Sequence, residues 1–168
     1  MVDKFVKKIN KYYGGTCMNV GFKNAAGNFS LRAAALIIYD GRILLAKSDN
    51  YDCFYTVGGG IHQNETSHEA VLRECYEEIG DHFEIDRLVF VQERFYTVEN
   101  TQYHEIVFFY LMKKKDIELY SGANTDQNNE HLYWIPIDEL ETMNIAPAFL
   151  SAAVKNIPTE VTHIISYE

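Results

Sequence analysis

The chain has 168 residues, of which 47% are hydrophobic and 23% are charged; this composition fits one globular domain and excludes a disordered or fibrous protein. The formal net charge of −9 at pH 7 repels polyanions, so duplex nucleic acid and anionic membranes are excluded as main partners. The longest apolar run, residues 33–39, is far shorter than the roughly 20 residues that a membrane-spanning helix needs.

The cysteines and the N-terminus indicate the compartment. Cys17, Cys53 and Cys75 are irregularly spaced, which is typical neither of a disulfide framework nor of a CxxC zinc site. Residues 1–15 mix lysines with apolar residues and lack the continuous apolar stretch of a secretory signal. We therefore expect a protein of the reducing cytoplasm.

The first elements are one helix and one weak strand. Apolar residues recur at helical spacing up to Gly14-Gly15, which predicts an N-terminal segment over 1–16 made of a short amphipathic helix and a loop. Residues 19–23 predict an edge strand, and the small polar residues of 24–30 predict a loop.

A β-hairpin is predicted next. Two apolar stretches, 33–39 and 42–46, flank Asp40-Gly41. An Asp-Gly pair accepts the positive φ angles of a tight turn, so the two stretches should pair as antiparallel strands.

The segment 58–81 has the strongest local signals. It opens with three glycines, whose missing side chains let the backbone approach a ligand or metal closely. Thr66 and Glu69 form a T-x-x-E capping box, which predicts the start of a helix. Gly80 is placed to end that helix.

The predicted helix carries acidic side chains on one face. Glu74, Glu77 and Glu78 are related as i, i+3 and i+4 and fall within one narrow arc. Three like charges on one face cost stability unless a cation lies among them. Mg²⁺ and Mn²⁺ are the natural partners, because hard divalent cations prefer carboxylate and carbonyl oxygens.

Two further strands are predicted at 88–97 and 105–112, with the polar loop 98–104 between them. The second strand is apolar on both faces, which is typical of a strand covered on both sides.

The rest of the chain alternates polar and apolar segments. The polar stretch 121–130 predicts a mobile surface loop, followed by a strand at 131–136. Helical turns are predicted at 137–143 and 147–156, and a short closing strand at 162–166.

The glycine loop and acidic helix resemble the signature of the Nudix hydrolases, the MutT-like family, G-x5-E-x7-R-E-U-x-E-E-x-G-U with U aliphatic. The seven fixed positions match in register and are filled by Gly59, Glu65, Arg73, Glu74, Glu77, Glu78 and Gly80. Cys75 and Asp81 depart from the aliphatic positions, and Val57 stands where a proline is common. The resemblance covers residues 17–157, which leaves 158–168 as a C-terminal strand or tail.

The resemblance implies an α/β fold, a Nudix-type α/β/α sandwich with a mixed β-sheet between helices. It also implies hydrolysis of a phosphoanhydride bond in a nucleoside diphosphate linked to another moiety, by water attack on phosphorus. Mg²⁺ or Mn²⁺ is the implied cofactor, held by the Gly59 carbonyl, Glu74, Glu77 and Glu78. Arg73 is expected to pair with a neighbouring glutamate and fix its direction.

The general base varies among Nudix hydrolases, so its position stays open. Two carboxylates are candidates: Glu130 at the end of the polar loop, and Glu105 at the start of a central strand. We favour Glu130, which joins Glu74, Glu77 and Arg73 as candidate catalytic residues.

The candidate substrate-binding residues are Arg32, Lys47, Glu65 and Glu105. Arg32 and Lys47 flank the hairpin and would hold distal phosphates, although each fits equally well as a plain surface cation. Glu65 fits better as support for the site than as a direct ligand. A small nucleotide-like diphosphate is the expected partner, and a homodimer is left open.

Two other functions compete with hydrolysis. A non-catalytic Nudix-like module that senses a nucleotide would have lost its carboxylates, whereas here all three are present. A Ca²⁺-binding or structural protein would leave the glycine loop and Arg73 unexplained. The group beyond the diphosphate is not determined by the signature, so nucleoside triphosphates, ADP-ribose, nucleotide sugars and dinucleoside polyphosphates stay open.

Overall fold

The computed structural model describes residues 18–115, 117 and 130–168. The predicted N-terminal helix and most of the polar stretch 121–130 lie outside the described residues. The described chain contains eleven strands, two α-helices and one 3₁₀ helix: β1 Gly21–Asn24, β2 Gly27–Leu36, β3 Ile38–Tyr39, β4 Arg42–Ser48, β5 Phe54–Thr56, β6 Gly58–Gly60, α1 Ser67–Ile79, β7 Ile85–Val98, β8 Thr101–Met112, β9 Glu130–Pro136, the 3₁₀ helix Ile137–Thr142, β10 Ile145–Ala146, α2 Leu150–Ala153 and β11 Thr162–Tyr167.

The larger sheet has six strands in the order β1-β2-β8-β7-β11, with β6 also paired to β2. β2 runs parallel to β8, and β11 runs parallel to β7, whereas β7 and β8 are antiparallel. The sheet is therefore mixed, as predicted, and the predicted closing strand becomes one of its edges.

The smaller sheet has five strands in the order β10-β5-β4-β3, with β9 also paired to β4. The predicted tight turn is confirmed, because Asp40 and Gly41 have φ angles of 48° and 71° and join the antiparallel strands β3 and β4. The predicted first strand, 33–39, is divided: only Ile38 and Tyr39 pair with β4, whereas residues 33–36 belong to β2 in the larger sheet. Strand β4 also pairs with β5 and β9, so the smaller sheet is built around it.

Two predicted loops are wrong. Strand β2 already begins at Gly27, where residues 24–30 were expected to form a loop. The expected loop 98–104 is a turn at Glu99 and Asn100, with φ angles of 47° and 67°, between two long strands. The polar residues around this turn belong to strand ends that extend past the core, and Glu105 consequently lies well inside β8 rather than at its start.

Two hydrophobic cores hold the layers together. One packs α1 against the larger sheet and β4, through residues such as Val71, Cys75 and Tyr110. The other lies between the two sheets and is closed by Leu140 of the 3₁₀ helix and Leu150 of α2. These layers of mixed sheet and helix confirm the predicted α/β class. Within the described ranges, no helix is long and apolar enough to cross a membrane.

Candidate active site

The bounds of helix α1 are set by its two caps. The Thr66 Oγ1 accepts a hydrogen bond from the Glu69 N–H at 3.2 Å, and the Glu69 Oε2 accepts one from the Thr66 N–H at 2.9 Å. At the other end Gly80 has a φ of 78° and donates its N–H to the Tyr76 carbonyl. The predicted capping box and helix end are both confirmed, and they fix where the acidic face of α1 points.

The glycine strand β6 lies directly beneath that face. A Cβ on Gly59 would lie 2.5 Å from the Glu74 Cδ, so only glycine leaves room for this carboxylate. Gly58, at a φ of 148°, donates its N–H to the Glu78 Oε1 at 3.3 Å. The backbone of β6 and two carboxylates of α1 are therefore in direct contact.

Arg73 forms hydrogen bonds both to glutamates of α1 and to the backbone of the glycine strand. Its Nη1 donates to the Glu74 Oε1 at 2.6 Å and to the Glu77 Oε2 at 2.9 Å. Its Nη2 donates to the Gly60 carbonyl at 2.9 Å, and its Nε and Nη2 donate to Glu65 at 2.8 and 3.0 Å. The expected pairing of Arg73 with a glutamate is therefore present, and it involves three glutamates and one carbonyl.

Glu65 accepts hydrogen bonds from Arg73 and from the loop that follows β6. Burial opposes its ionisation, but the hydrogen bonds from Arg73 and from the His62 N–H outweigh burial and lower the pKa of Glu65. Both of its carboxylate oxygens are engaged by Arg73 and the loop, and its side chain is only 7% exposed. Glu65 therefore holds Arg73, which in turn donates to the Gly60 carbonyl of the glycine strand.

Glu78 lies near two other carboxylates, Glu74 and Glu130. Burial, followed by the charges of Glu74 and Glu130, raises the pKa of Glu78 to about 9. Burial also raises the pKa of Glu74 against the opposing charge of Arg73. The Glu130 Oε1 accepts a hydrogen bond from the Tyr55 hydroxyl at 2.7 Å. This group holds more negative charge than its surroundings compensate, which favours a cation or bound protons.

Mg²⁺ or Mn²⁺ fits this donor set. In the part of the chain that the structure describes, no group of three or more His, Cys, Asp or Glu side chains is arranged so that it could hold a metal ion. In this arrangement Arg73 donates hydrogen bonds to both Glu74 and Glu77. The donors are nevertheless hard oxygens, and the buried like charges of Glu74 and Glu78 are what a divalent cation would neutralise.

Comparison with known families gives a match over most of the chain. The model of the NUDIX domain matches residues 30–153. This chain belongs to the Nudix family. It is accordingly a Nudix hydrolase, and the family's reaction is hydrolysis of the pyrophosphate bond in nucleoside diphosphate derivatives. No curated protein matches the chain.

Solved structures show the same fold. A MutT Nudix hydrolase from Burkholderia pseudomallei shares 25% identity over 73% of this chain and 95% of its own, with a TM-score of 0.59. A MutT protein from Bacillus halodurans shares 15% identity over 82% of this chain and 89% of its own, with a TM-score of 0.63. A protein named UDP-X diphosphatase shares 19% identity over 96% of this chain and 74% of its own, with a TM-score of 0.56.

The Nudix carboxylates differ in their surroundings. Glu74 and Glu78 are mostly buried, whereas the Glu77 side chain is 55% exposed at the rim. Glu130 was expected at the end of a loop, but it is the first residue of β9 and pairs with Ser48 of β4. The apolar pattern predicted a strand that begins at residue 131, whereas β9 begins one residue earlier, at Glu130.

The other candidate residues of the Nudix site fall in two places. Arg32 lies on β2, and its charge lowers the pKa of both Glu74 and Glu78. Among the residues that the structure describes, no carboxylate forms an ion pair with Arg32. Lys47 instead pairs with Asp52 at 3.1 Å on the smaller sheet. The structure thus brings Arg32 to the carboxylates and gives Lys47 another partner.

Two residues near the site were missed as functional candidates. Tyr55 reaches Glu130, which is 75 positions away in the sequence. Arg94 lies on the same larger sheet as Arg32 and contacts Glu105. Neither has a local spacing signal, because each partner comes from a different strand.

Proposed function

We propose that this Nudix hydrolase cleaves a P–O–P bond in a nucleoside diphosphate linked to another moiety, in a reaction that requires Mg²⁺ or Mn²⁺ and in which water attacks phosphorus. The observation that carries the proposal is that Glu78, which accepts a hydrogen bond from the glycine strand, is mostly buried and lies close enough to Glu74 and Glu130 for their charges to raise its pKa. A nucleotide sensor needs no such group of carboxylates, since their mutual repulsion costs stability when no cation is bound.

The metal ligands in this proposal are Glu74, Glu77, Glu78 and the Gly59 carbonyl. Bound Mg²⁺ or Mn²⁺ supplies charge neutralisation on the phosphate oxygens and activation of water. Arg73 contributes as a positioning residue, because its hydrogen bonds hold the carboxylates of Glu74 and Glu77 against β6.

Glu130 is the proposed general base. The contribution of its charge to the raised pKa of Glu78 supports a position near the proposed metal ligands, and the Tyr55 hydroxyl donates to one of its oxygens. The other oxygen is then available to take a proton from water. Glu105 is the less favoured base, because Ser30 donates to its Oε1 and its Oε2 lies 3.7 Å from the cationic Arg94 Nη1, so that both oxygens have partners.

Arg32 is the proposed ligand of the diphosphate. Its guanidinium lies near Glu74 and Glu78 without an ion-pair partner among the described residues, and a guanidinium matches phosphate oxygens in charge and geometry. Lys47 is a second candidate for a distal phosphate, provided that it exchanges Asp52 for the ligand. Glu65 is proposed to act only by supporting Arg73.

The substrate and the compartment complete the proposal. The structural neighbour named UDP-X diphosphatase is compatible with a substrate that carries a further group beyond the diphosphate. Cys53 and Cys75 are free thiols, which supports a reducing, cytoplasmic location. A homodimer stays a prediction.

The test is a hydrolysis assay over nucleoside triphosphates, ADP-ribose, nucleotide sugars and dinucleoside polyphosphates, each with Mg²⁺, with Mn²⁺ and with EDTA. We expect cleavage of at least one class with metal and none with EDTA.

Two matched variants test the proposed base. Glu130→Gln should lower kcat far more than it changes KM. Glu84→Gln is the control, because Glu84 is an exposed ion-pair partner of Lys113, and it should behave as wild type. Nucleotide binding without turnover of any compound would support the sensing module instead.

A further inference from the structure

A row of aromatic side chains crosses the larger sheet from edge to edge. We call it the aromatic row and define it as Phe22 of β1, Phe29 of β2, His104 of β8, Phe95 of β7 and Tyr167 of β11. Each ring is directly opposite the next in the register of the strands. The centroids of neighbouring rings are between 4.3 and 5.4 Å apart. Directly paired residues on neighbouring strands project to one face, so the five rings form one continuous surface.

The aromatic row lies on the face of the larger sheet that carries helix α1. Phe29 precedes Leu31 by two positions on β2, and Leu31 packs against the core that includes α1. Arg32 projects to the opposite face, so the row is separate from the proposed diphosphate ligand. Helix α1 packs chiefly on β2 and β6, which leaves β7 and β11 with little cover on this face.

The described part of the chain leaves both ends of the row uncovered. Phe22 is 58% exposed and Tyr167 is 79% exposed. Ile165 precedes Tyr167 by two positions on β11, so it lies on the same face, and it is 56% exposed. None of these three side chains belongs to either hydrophobic core of the described residues. A contiguous apolar surface of this kind marks an interaction site.

The sequence of residues 1–16 has the pattern of a partner for this surface. Successive residues of a helix are about 100° apart, so its apolar side chains would fall within one arc of roughly 120°. They are Val2, Phe5, Val6, Ile9, Tyr12 and Tyr13, while Lys4, Lys7, Lys8 and Lys11 fall outside that arc. A helix of twelve residues is about 18 Å long and five neighbouring strands are about 19 Å wide, so one helix would span the row.

The covalent connection favours this segment over a second copy of the chain. The Met18 carbonyl accepts a hydrogen bond from the Gln63 N–H at 2.9 Å, and the Val20 N–H donates to the Ile61 carbonyl at 2.7 Å. The chain is therefore fixed to its neighbours only four residues before Phe22, and a segment held so close has an effective concentration in roughly the millimolar range.

Charge favours the same segment. Two copies of a chain with a formal net charge of −9 repel each other. Residues 1–16 carry four lysines and one aspartate, so their net charge is opposite in sign to that of the whole chain. The segment is therefore attracted to the rest of the protein, whereas a second copy is not.

We propose that residues 1–16 form an amphipathic helix that packs its apolar side across the aromatic row, so that this face of the larger sheet is a docking surface for the N-terminus of the same chain. The lysines then face solvent. Gly14-Gly15 gives the chain the freedom to reverse between the helix and Met18.

Hydroxyl-radical footprinting read by mass spectrometry tests the proposal, because it measures the solvent access of individual side chains. The internal reference is Tyr51 between β4 and β5, which is 65% exposed. Tyr167 is more exposed than Tyr51 in the described residues, so without a cover it should be labelled at least as fast. With the helix docked, we expect Tyr167 to be labelled more slowly than Tyr51 by about threefold or more in the wild type.

Two neighbouring substitutions in the segment form a matched pair. Ile9→Lys puts a charge in the middle of the apolar arc and should raise the labelling of Tyr167 to that of Tyr51, because a buried unpaired charge opposes docking. Asn10→Lys adds the same charge at the next position, outside the arc, and should keep Tyr167 protected. Circular dichroism and the melting temperature establish that each variant folds, and Ile9→Ser replaces Ile9→Lys should the latter unfold.

Two results would overturn the docked helix. One is a wild-type Tyr167 that is labelled as fast as Tyr51, since the row is then uncovered. The other is protection of Tyr167 that persists in folded Ile9→Lys or Ile9→Ser; a dimeric mass by light scattering, with protection that falls on dilution, would then assign the row to a second copy. Neither result bears on phosphoanhydride hydrolysis, which takes place on the other face of the sheet.

Discussion

At the scale of single residues, the site depends on carboxylates that the fold keeps close at a cost. Glu78 accepts a hydrogen bond from the Gly58 N–H, but burial, followed by the charges of Glu74 and Glu130, raises its pKa to about 9. Arg73 offsets part of the charge by holding Glu74 and Glu77. The spacing of the glutamates was readable from the sequence, because helical periodicity relates positions three and four apart.

Tyr55 gives the first test at this scale. Tyr55→Phe removes the hydroxyl that donates to the Glu130 Oε1 and leaves the ring in place. We expect kcat to fall by about tenfold with little change in KM, because a positioning contact to a catalytic group is lost. Steady-state kinetics at saturating Mg²⁺ measures the effect.

The double variant decides whether Tyr55 acts through Glu130. If it does, Tyr55→Phe in a Glu130→Gln background lowers kcat no further, since residues of one hydrogen-bonded pair are not additive. Fully additive losses would show that Tyr55 acts elsewhere. Tyr133→Phe on β9 is the control, because its side chain is exposed and edge-on to Phe54.

At the scale of elements, the site is the contact between helix α1 and strand β6. Local signals predicted these elements well: the capping box at Thr66 and Glu69, and Gly80 at the helix end, are each decided within a few residues. The turn at Glu99 and Asn100 was missed, because a Glu-Asn pair is a weaker hairpin signal than Asp-Gly. Its strands extend past the core, where Gln102 and Thr97 bond to each other rather than to apolar neighbours.

Gly59 tests the contact between α1 and β6. In Gly59→Ala the new Cβ would lie 2.5 Å from the Glu74 Cδ, so the carboxylate must move away from the backbone. We expect loss of most activity and a weaker Mg²⁺-induced rise in melting temperature, because the folded state then binds metal less tightly. Enzyme assays and thermal unfolding with and without Mg²⁺ measure both effects.

Gly41→Ala is the matched control for this prediction. No atom lies within 4 Å of a Cβ at Gly41, but its φ of 71° is unfavourable for alanine. It should therefore cost about 1 kcal/mol of folding free energy and leave kcat intact. Equal activity in Gly59→Ala and Gly41→Ala would show that the close approach of Glu74 to β6 has no part in the reaction.

At the scale of the whole molecule, two sheets bring together residues that are distant in sequence. Glu130 comes from the smaller sheet and Glu78 from the helix beside the larger one, yet the charge of Glu130 contributes to the raised pKa of Glu78. The class of fold followed from the sequence, because the signature and the alternation of strands are local. The partners of Tyr55, Arg94 and Glu105 did not, because strand order and register decide them.

The charge of the whole chain predicts weak binding to nucleic acid. With a formal net charge of −9 and no run of basic residues longer than the three lysines at 113–115, the protein should not shift duplex DNA or long RNA at physiological salt. A gel-shift assay over a range of salt concentrations measures this. Tight binding that weakens steeply with salt would contradict the expectation. A small nucleotide is outside this expectation, because its phosphates need only a local cation such as the proposed Arg32.

The central claim is that the buried glutamates beside β6 bind the divalent cation, and titration with Mn²⁺ followed by electron paramagnetic resonance of free Mn²⁺ tests it most directly. We predict saturable binding by the wild type and by Glu84→Gln, and binding weaker by at least about tenfold in a folded Glu78→Gln variant, which keeps the shape of the side chain without its charge. Binding of Mn²⁺ by Glu78→Gln as tight as that of the wild type would contradict the account.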